Sequence, residues 1–273
     1  MDAILLDLSL AYSTFEYPIL TAFMTLVLFL TGAMFASFTG LVVHRIGHLS
    51  EDDSILYAIS FPPSRCEECG RRLGLIDLIP VIGWVIRGGR CPDCRYSVPK
   101  IYPIIEAILG ICTAAIPFIV GDFDWWVLSL VILLWTGFLI AWIDYEHHII
   151  PEELTWFLLF AGLLVTPAVF DVYDRIIGAA LCAAAMWSAM FAIGIVTKEN
   201  THAGGDVAFA AVAGAWIGVQ FVPWYLLILS ALYILHAFPL RLRGIKWVPM
   251  GPSLVLALLI SMLILHANFD RLL

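Results

Sequence analysis

Along most of the chain polar positions are too sparse to alternate with apolar ones at any period. Long apolar runs are broken by short polar stretches, and eight runs stand out: roughly 18–43, 101–120, 125–143, 154–170, 176–196, 207–222, 223–240 and 252–268. About 20 residues at ~1.5 Å each cross a hydrocarbon layer of ~30 Å, so each run has about the length of one bilayer-spanning helix. Barrel strands would alternate every second position, which these runs do not. The predicted class is an all-α polytopic membrane protein with about eight transmembrane helices and one sizeable polar insert. Only Phe221-Val222-Pro223 divides the sixth run from the seventh, so the break between them is expected there.

Basic residues set the orientation. With eight spans and the N-terminus outside, 12 of the 14 Lys and Arg residues fall in the inward-facing segments 44–100, 144–153, 197–206 and 241–251. Only Arg175 and Arg271 fall on the other side. The positive-inside rule then puts the insert in the cytoplasm and the helices in the inner membrane. No cleavable signal peptide is expected, since Asp2, Asp7 and Glu16 stand where a basic flank would be. A composition 62% hydrophobic and 13% charged agrees with the apolar runs. The net charge of −8 adds little to topology but argues against a nucleic-acid partner.

The cysteines divide into two kinds. Cys112 and Cys182 lie within apolar runs and read as small buried hydrophobes. The others form CEEC at 66–69 and CPDC at 91–94, with 21 residues between the pairs. Two such knuckles at this separation point to a zinc-ribbon-like site of Cys66, Cys69, Cys91 and Cys94. Disulfides are the competing reading, which a reducing cytoplasm disfavours. Four thiolates close a tetrahedron and leave no position for substrate, so the metal is expected to be structural. A short insert rich in Gly and Pro needs such a staple.

Two acids occupy helix boundaries. Asp144 follows the charge-free run 125–143, and Asp206 stands after Gly204-Gly205 before the next apolar run. Ionisable residues at membrane depth are costly and count first as functional candidates. The plain alternatives are an N-cap at Asp206 and an interfacial polar turn at Asp144. If the third helix stops at Asp144, that carboxylate faces the negative end of a dipole while Asp206 faces a positive one. That asymmetry suggests Asp206 as the base on a water and Asp144 as the group polarising a carbonyl. Paired carboxylates hydrolyse peptides in this way in aspartic proteases.

With these residues in view, the chain resembles the type IV prepilin peptidases, a family of membrane aspartic proteases, along nearly its whole length. SRCEECGRRL, DLIPVIGW, RGGRCPDC and YPIIEAILG are similar in order and spacing to the family's cysteine-rich cytoplasmic segment. IDYEHHIIPEELT resembles its first catalytic stretch, and GGDV the end of its second, G-x-G-D. The resemblance implies that Asp144 and Asp206 are catalytic and that the partners are prepilin or pseudopilin precursors. It implies cleavage at the cytoplasmic membrane face, and in many members N-methylation of the new N-terminus from S-adenosylmethionine. Residues 1–43 would then be an N-terminal transmembrane segment, 44–100 the cysteine-rich insert, and 101–273 the peptidase domain. Departures from the family pattern are Ala203 and Ala208 around Asp206, and Ala36 and Gly40 in ASFTG.

A catalytic metal held by histidines is one alternative on the same residues. His147, His148 and His202 lie near the aspartates, but adjacent histidines cannot face one point on a helix and no H-E-x-x-H spacing is present. Glu106, early in the second run, is expected either near a positive group of a ligand or at a helix start. The rival to an enzyme is a non-catalytic membrane assembly or scaffold factor of a pilus or type II secretion system. A proton-coupled transporter is a more distant one, since no inverted pair of broken helices is seen.

Overall fold

In the computed structural model the described residues are 17–47, 63–121, 123–166, 171–198, 204–245 and 247–268. Asp2, Asp7, Glu16, His202, Ala203, Lys246 and Arg271 lie outside them. The chain divides into two compact units, Met1–Val127 and Leu128–Leu273.

In the first unit, helix α1 (Pro18–Ile46) opens with a proline in its first turn, where no intrahelical donor is lost. Its Thr21, Thr25 and Thr31 hydroxyls each bond the carbonyl four residues back, so they bring no unmet donor into an apolar setting. A stripe of small buried residues, Gly32, Ala33, Ala36 and Gly40, suits close helix packing. Helix α3 (Ile101–Val120) packs against α1 and ends at Gly121 in the left-handed region. Between them in sequence, the described residues of the insert hold a 3₁₀ turn at Ile76–Leu78 and the short helix α2 (Ile82–Ile86). Asp77 organises this segment: it accepts from the Gly74 amide and from the guanidiniums of Arg71 and Arg87. Burial opposes its ionisation, but those donors outweigh burial and hold the carboxyl below its ordinary range.

Helices joined by short turns make up the described residues of the second unit. It comprises most of α4 (Trp125–His147), then α5 (Glu152–Leu164), α6 (Val172–Thr197), α7 (Gly204–Leu242) and α8 (Gly251–Ala267). Helix α7 is the hub, packed by α5, α6 and α8. At its crossing with α6, Gly178 and Gly214 bring the two backbones together so closely that a Cβ on either would meet the other's main chain. Trp216 on α7 donates its indole N–H to the Leu158 carbonyl of α5 at 2.8 Å.

Among the described residues, five helices are long and apolar enough to span a bilayer: α1, α3, α4, α6 and α7. The shorter α8 is apolar as well. The multi-pass all-α class expected from sequence is what the chain forms, with two differences in detail. Helix α5 stops at Leu164, short of the expected 170, because the residue before a proline, here Thr166, is biased away from helix. Buried Arg175 of α6 then donates to the carbonyls of Gly162 and Leu163 in its last turn and of Thr166 just beyond it. The second difference is the break within α7, which falls at Gly218 (φ 69°, ψ 168°) rather than at 221–223. Glycine alone adopts that geometry without strain. Pro223, one turn further on, costs only the donor to the Val219 carbonyl.

Candidate active site and metal centre

Asp144 does not end its helix. α4 continues to His147, and the turn closes at His148, whose backbone is left-handed (φ 57°) and whose N–H bonds the Asp144 carbonyl at 2.9 Å. The Asp144 side chain is 6% exposed, and its Oδ2 accepts the Gly251 N–H at 2.6 Å. Gly251 is the first residue of α8, so Asp144 sits against the positive end of a helix far away in sequence. A Cβ at position 251 would lie 2.7 Å from Asp144 Cβ and 2.8 Å from its Oδ2, so only glycine lets the amide reach the carboxylate.

Asp206 is the third residue of α7, inside the first turn rather than at the cap, and it is half-buried. Ile150, from the turn after α4, lies 2.8 Å from where a Cβ on Gly205 would be, which brings that turn against the start of α7. The two carboxylates are close enough to feel each other's charge. The structure thus brings the two candidate acids of the sequence together.

It also corrects the division of roles. That division required the third helix to stop at Asp144 and to present its negative end there. Instead both acids stand at positive helix ends, Asp144 at that of α8 and Asp206 at that of α7. Asp144 also lies in the last turn of α4, so it meets a negative end and a positive one, and the simple opposition of the two acids is lost. Gly251 is the residue that sequence reasoning missed. Its one signal was a glycine-proline step opening an apolar run, which says nothing of a contact 107 positions away.

In the first unit the four cysteines converge, their Sγ atoms all within 4.8 Å of one another. Cys66 and Cys94 are 3.7 Å apart, and Cys69 and Cys91 3.9 Å. Thiolates around a metal at ~2.3 Å define a tetrahedron with edges of about 3.8 Å, so the set fits such an ion. The cysteines are free, and the disulfide reading ends there. The knuckles are built alike: Cys66 N–H bonds Arg71 O and Cys91 N–H bonds Tyr96 O, beside the isolated bridges Arg65–Arg72 and Arg90–Ser97. Amides of Cys94 and Asp93 aim at the Cys91 thiol and favour its thiolate, while the bonds shared among the sulfurs push the Cys94 thiol the other way, up to about 12.

Among the described residues these four form the only cluster of His, Cys, Asp or Glu able to hold a metal. His147 is half-buried and His148 exposed, and neither joins Asp144 in such a cluster. Glu106 lies in the first unit, 8% exposed, and its Oε2 accepts the Val81 N–H at 2.7 Å.

Comparison with known proteins places this geometry in a family. Residues 30–120 match the bacterial peptidase A24 N-terminal domain, and residues 131–238 match the type IV leader peptidase family. A type 4 prepilin-like proteins leader peptide-processing enzyme of Escherichia coli is 30% identical over 208 residues, covering 73% of this chain and 74% of that one. A prepilin leader peptidase/N-methyltransferase of Pseudomonas aeruginosa is 28% identical over 258 residues, 86% of this chain and 88% of the other. Its namesake in Stutzerimonas stutzeri is 27% identical over 250 residues, 83% and 86% of the two. No solved structure matches. The chain belongs to the type IV leader peptidase family.

Proposed function

We propose that this chain is a membrane aspartic endopeptidase that removes the leader of prepilin or pseudopilin precursors, with Asp144 and Asp206 as its catalytic pair. The observation that carries the reading is the meeting of two acids from different helices, each at a helix N-terminus, at the end of apolar spans. Like charges so placed share one proton. The ionised member takes a proton from water, whose oxygen attacks the scissile carbonyl carbon. The protonated member hydrogen-bonds the carbonyl oxygen and stabilises the negative charge that forms there. Collapse of the tetrahedral intermediate breaks the C–N bond, and the leaving amine receives a proton from the pair.

On this reading residues 1–43 are a first transmembrane segment, 44–100 the insert and 101–273 the peptidase domain. The distribution of Lys and Arg supports an insert and active site facing the cytoplasm from the inner membrane, with the N-terminus outside. Cys66, Cys69, Cys91 and Cys94 hold structural Zn²⁺, supported by the sulfur spacing. N-methylation of the new N-terminus from S-adenosylmethionine is the second activity, supported by the names of the relatives.

Mass spectrometry of a prepilin incubated with the purified chain tests the central claim. Asp144→Asn and Asp206→Asn should each slow cleavage by about 10²–10⁴-fold, the range of a lost general acid or base. Both variants should still purify as folded membrane proteins. Full cleavage by either one rejects the two-carboxylate mechanism.

A further inference from the structure

The insert of the first unit carries an apolar face that the described residues leave open. Leu75, Ile76, Ile82, Val85 and Ile86 are exposed, Leu75 by 86% and Val85 by 63%. Ile82, Val85 and Ile86 stand at i, i+3 and i+4 of α2, so they share one side of it. None of the five lines the cavity of about 980 Å³ that α1, α3 and the insert surround. They face away from the interior of their own unit. Clustered aliphatic side chains on a polar segment mark a contact with apolar material.

Two contacts fix the level at which this face sits. At the start of α2 the Val81 N–H meets Glu106 Oε2 at 2.7 Å, five residues after Ile101 opens α3. In the middle of α2 the Trp84 indole N–H donates to the Val98 carbonyl at 3.1 Å, three residues before α3 opens. The backbone bears strain to make the first contact, since Val81 is β-branched and holds φ at 61°. Helix α3 has 20 residues, which at ~1.5 Å each match a hydrocarbon layer of ~30 Å, so its first residue marks one edge of that layer. The two contacts bracket this edge, and α2, five residues or ~7.5 Å long, does not stray far from it. Beside it α3 exposes Ile101, Ile104 and Ile108 in its own first turns, as a helix facing lipid tails does. We infer that the apolar face of residues 75–86 is seated in the bilayer surface and anchors the insert in the plane of the membrane. Lipid is the occupant because it is present at that level at all times, whereas a peptide would cover the face only while bound. Apolar side chains held there sink ~5–10 Å into the boundary between headgroups and tails.

The test uses the full-length chain in vesicles of phosphatidylcholine and phosphatidylglycerol, without any precursor protein. A dansyl amino acid replaces Val85 in one chain, Leu75 in a second and, as the water-facing reference, exposed Glu68 in a third. Nitroxide-labelled lipid should quench the probes at 85 and 75 about threefold more than the probe at 68, and iodide in the water should do the reverse. Iodide quenching at 85 and 75 equal to that at 68 overturns the anchor and leaves the face to a partner absent from the vesicles. Probes shielded from both quenchers overturn it too, because the face then packs on protein, a second copy included. A photoactivatable lipid gives a measurement on the wild-type chain that needs no substitution. Adducts within 75–86 are expected, and adducts confined to the spanning helices overturn the anchor.

Discussion

The acid pair and the cysteine centre use opposite means of bringing side chains together. Asp144 and Asp206 ride on α4 and α7, and the placement of whole helices decides how near they come, with backbone amides at the start of α8 holding the Asp144 carboxylate. Cys66, Cys69, Cys91 and Cys94 sit on two short turns, and on the proposed reading a shared metal joins those turns. A helix-borne site is thus sensitive to a single misplaced atom at a packing contact. A turn-borne centre is sensitive to its metal and to backbone conformation.

The largest effect should come from removing the metal. Zinc bound by thiolates is worth about 10–16 kcal/mol in small domains, and an insert this short has little core to set against that loss. A strong chelator, or Cys66→Ser combined with Cys94→Ser, should open 63–100 to limited proteolysis while circular dichroism retains most of the helical signal. An insert that stays resistant without metal would show that side-chain packing, rather than ligation, holds it.

Gly251→Ala probes the other side of the comparison. The added methyl would stand 2.7 Å from Asp144 Cβ, and the carboxylate or the start of α8 must shift. A shift of about 1 Å in a reacting group costs roughly 10²-fold, so kcat for prepilin cleavage should fall by 10–100-fold or so with KM nearly constant. A change in KM alone would mean that position 251 shapes substrate binding instead of positioning Asp144.

The contrast also explains what the sequence made legible. Apolar runs revealed the spans because burial in lipid demands them, and C-x-x-C spacing revealed the metal set because each knuckle is local. Asp144 and Asp206 were visible as acids where none is cheap. Gly251 was hidden because its role is a contact between distant segments, which no periodicity encodes. The break in α7 was read at Pro223 because proline is the louder signal, yet the helix absorbs Pro223 and breaks at Gly218. Arg175 counted only toward topology, while its buried bonds to the end of α5 required knowing where that helix stops.

A subtler expectation concerns Asp77, whose two guanidinium partners brace the insert. Its folded value lies below the ordinary 3.8, so the stability it contributes is complete above that pH. That contribution is lost as pH falls through the lower folded value. Asp77→Asn should therefore be cut faster than wild type within 63–100 near neutral pH, and the gap should close in acid. Both chains share the same metal chemistry, so the difference between them isolates this carboxylate. Equal rates at neutral pH would put these ion pairs with the many exposed ones that contribute nothing measurable.

The smallest effect comes from comparing the knuckles with each other. Directly after the second cysteine of each, the backbone turns left-handed, at Gly70 (φ 71°) and at Arg95 (φ 61°), and each N–H bonds the carbonyl of the first cysteine at 3.0 Å. Glycine holds that conformation freely, whereas a residue with a Cβ is held there at a cost of about 1–2 kcal/mol. Arg95 is exposed, and no described residue pairs with its side chain, so nothing recovers that cost. Arg95→Gly removes the strain but gives the unfolded chain freedom worth about 0.5–1 kcal/mol. The balance should favour the variant by roughly 0.5–1 kcal/mol, or about two- to fivefold in the metal concentration that holds the insert half-folded. A metal titration of both chains reads this directly. If the variant instead needs more metal, the second knuckle is not the strained copy of the first, and the likeness drawn between them fails.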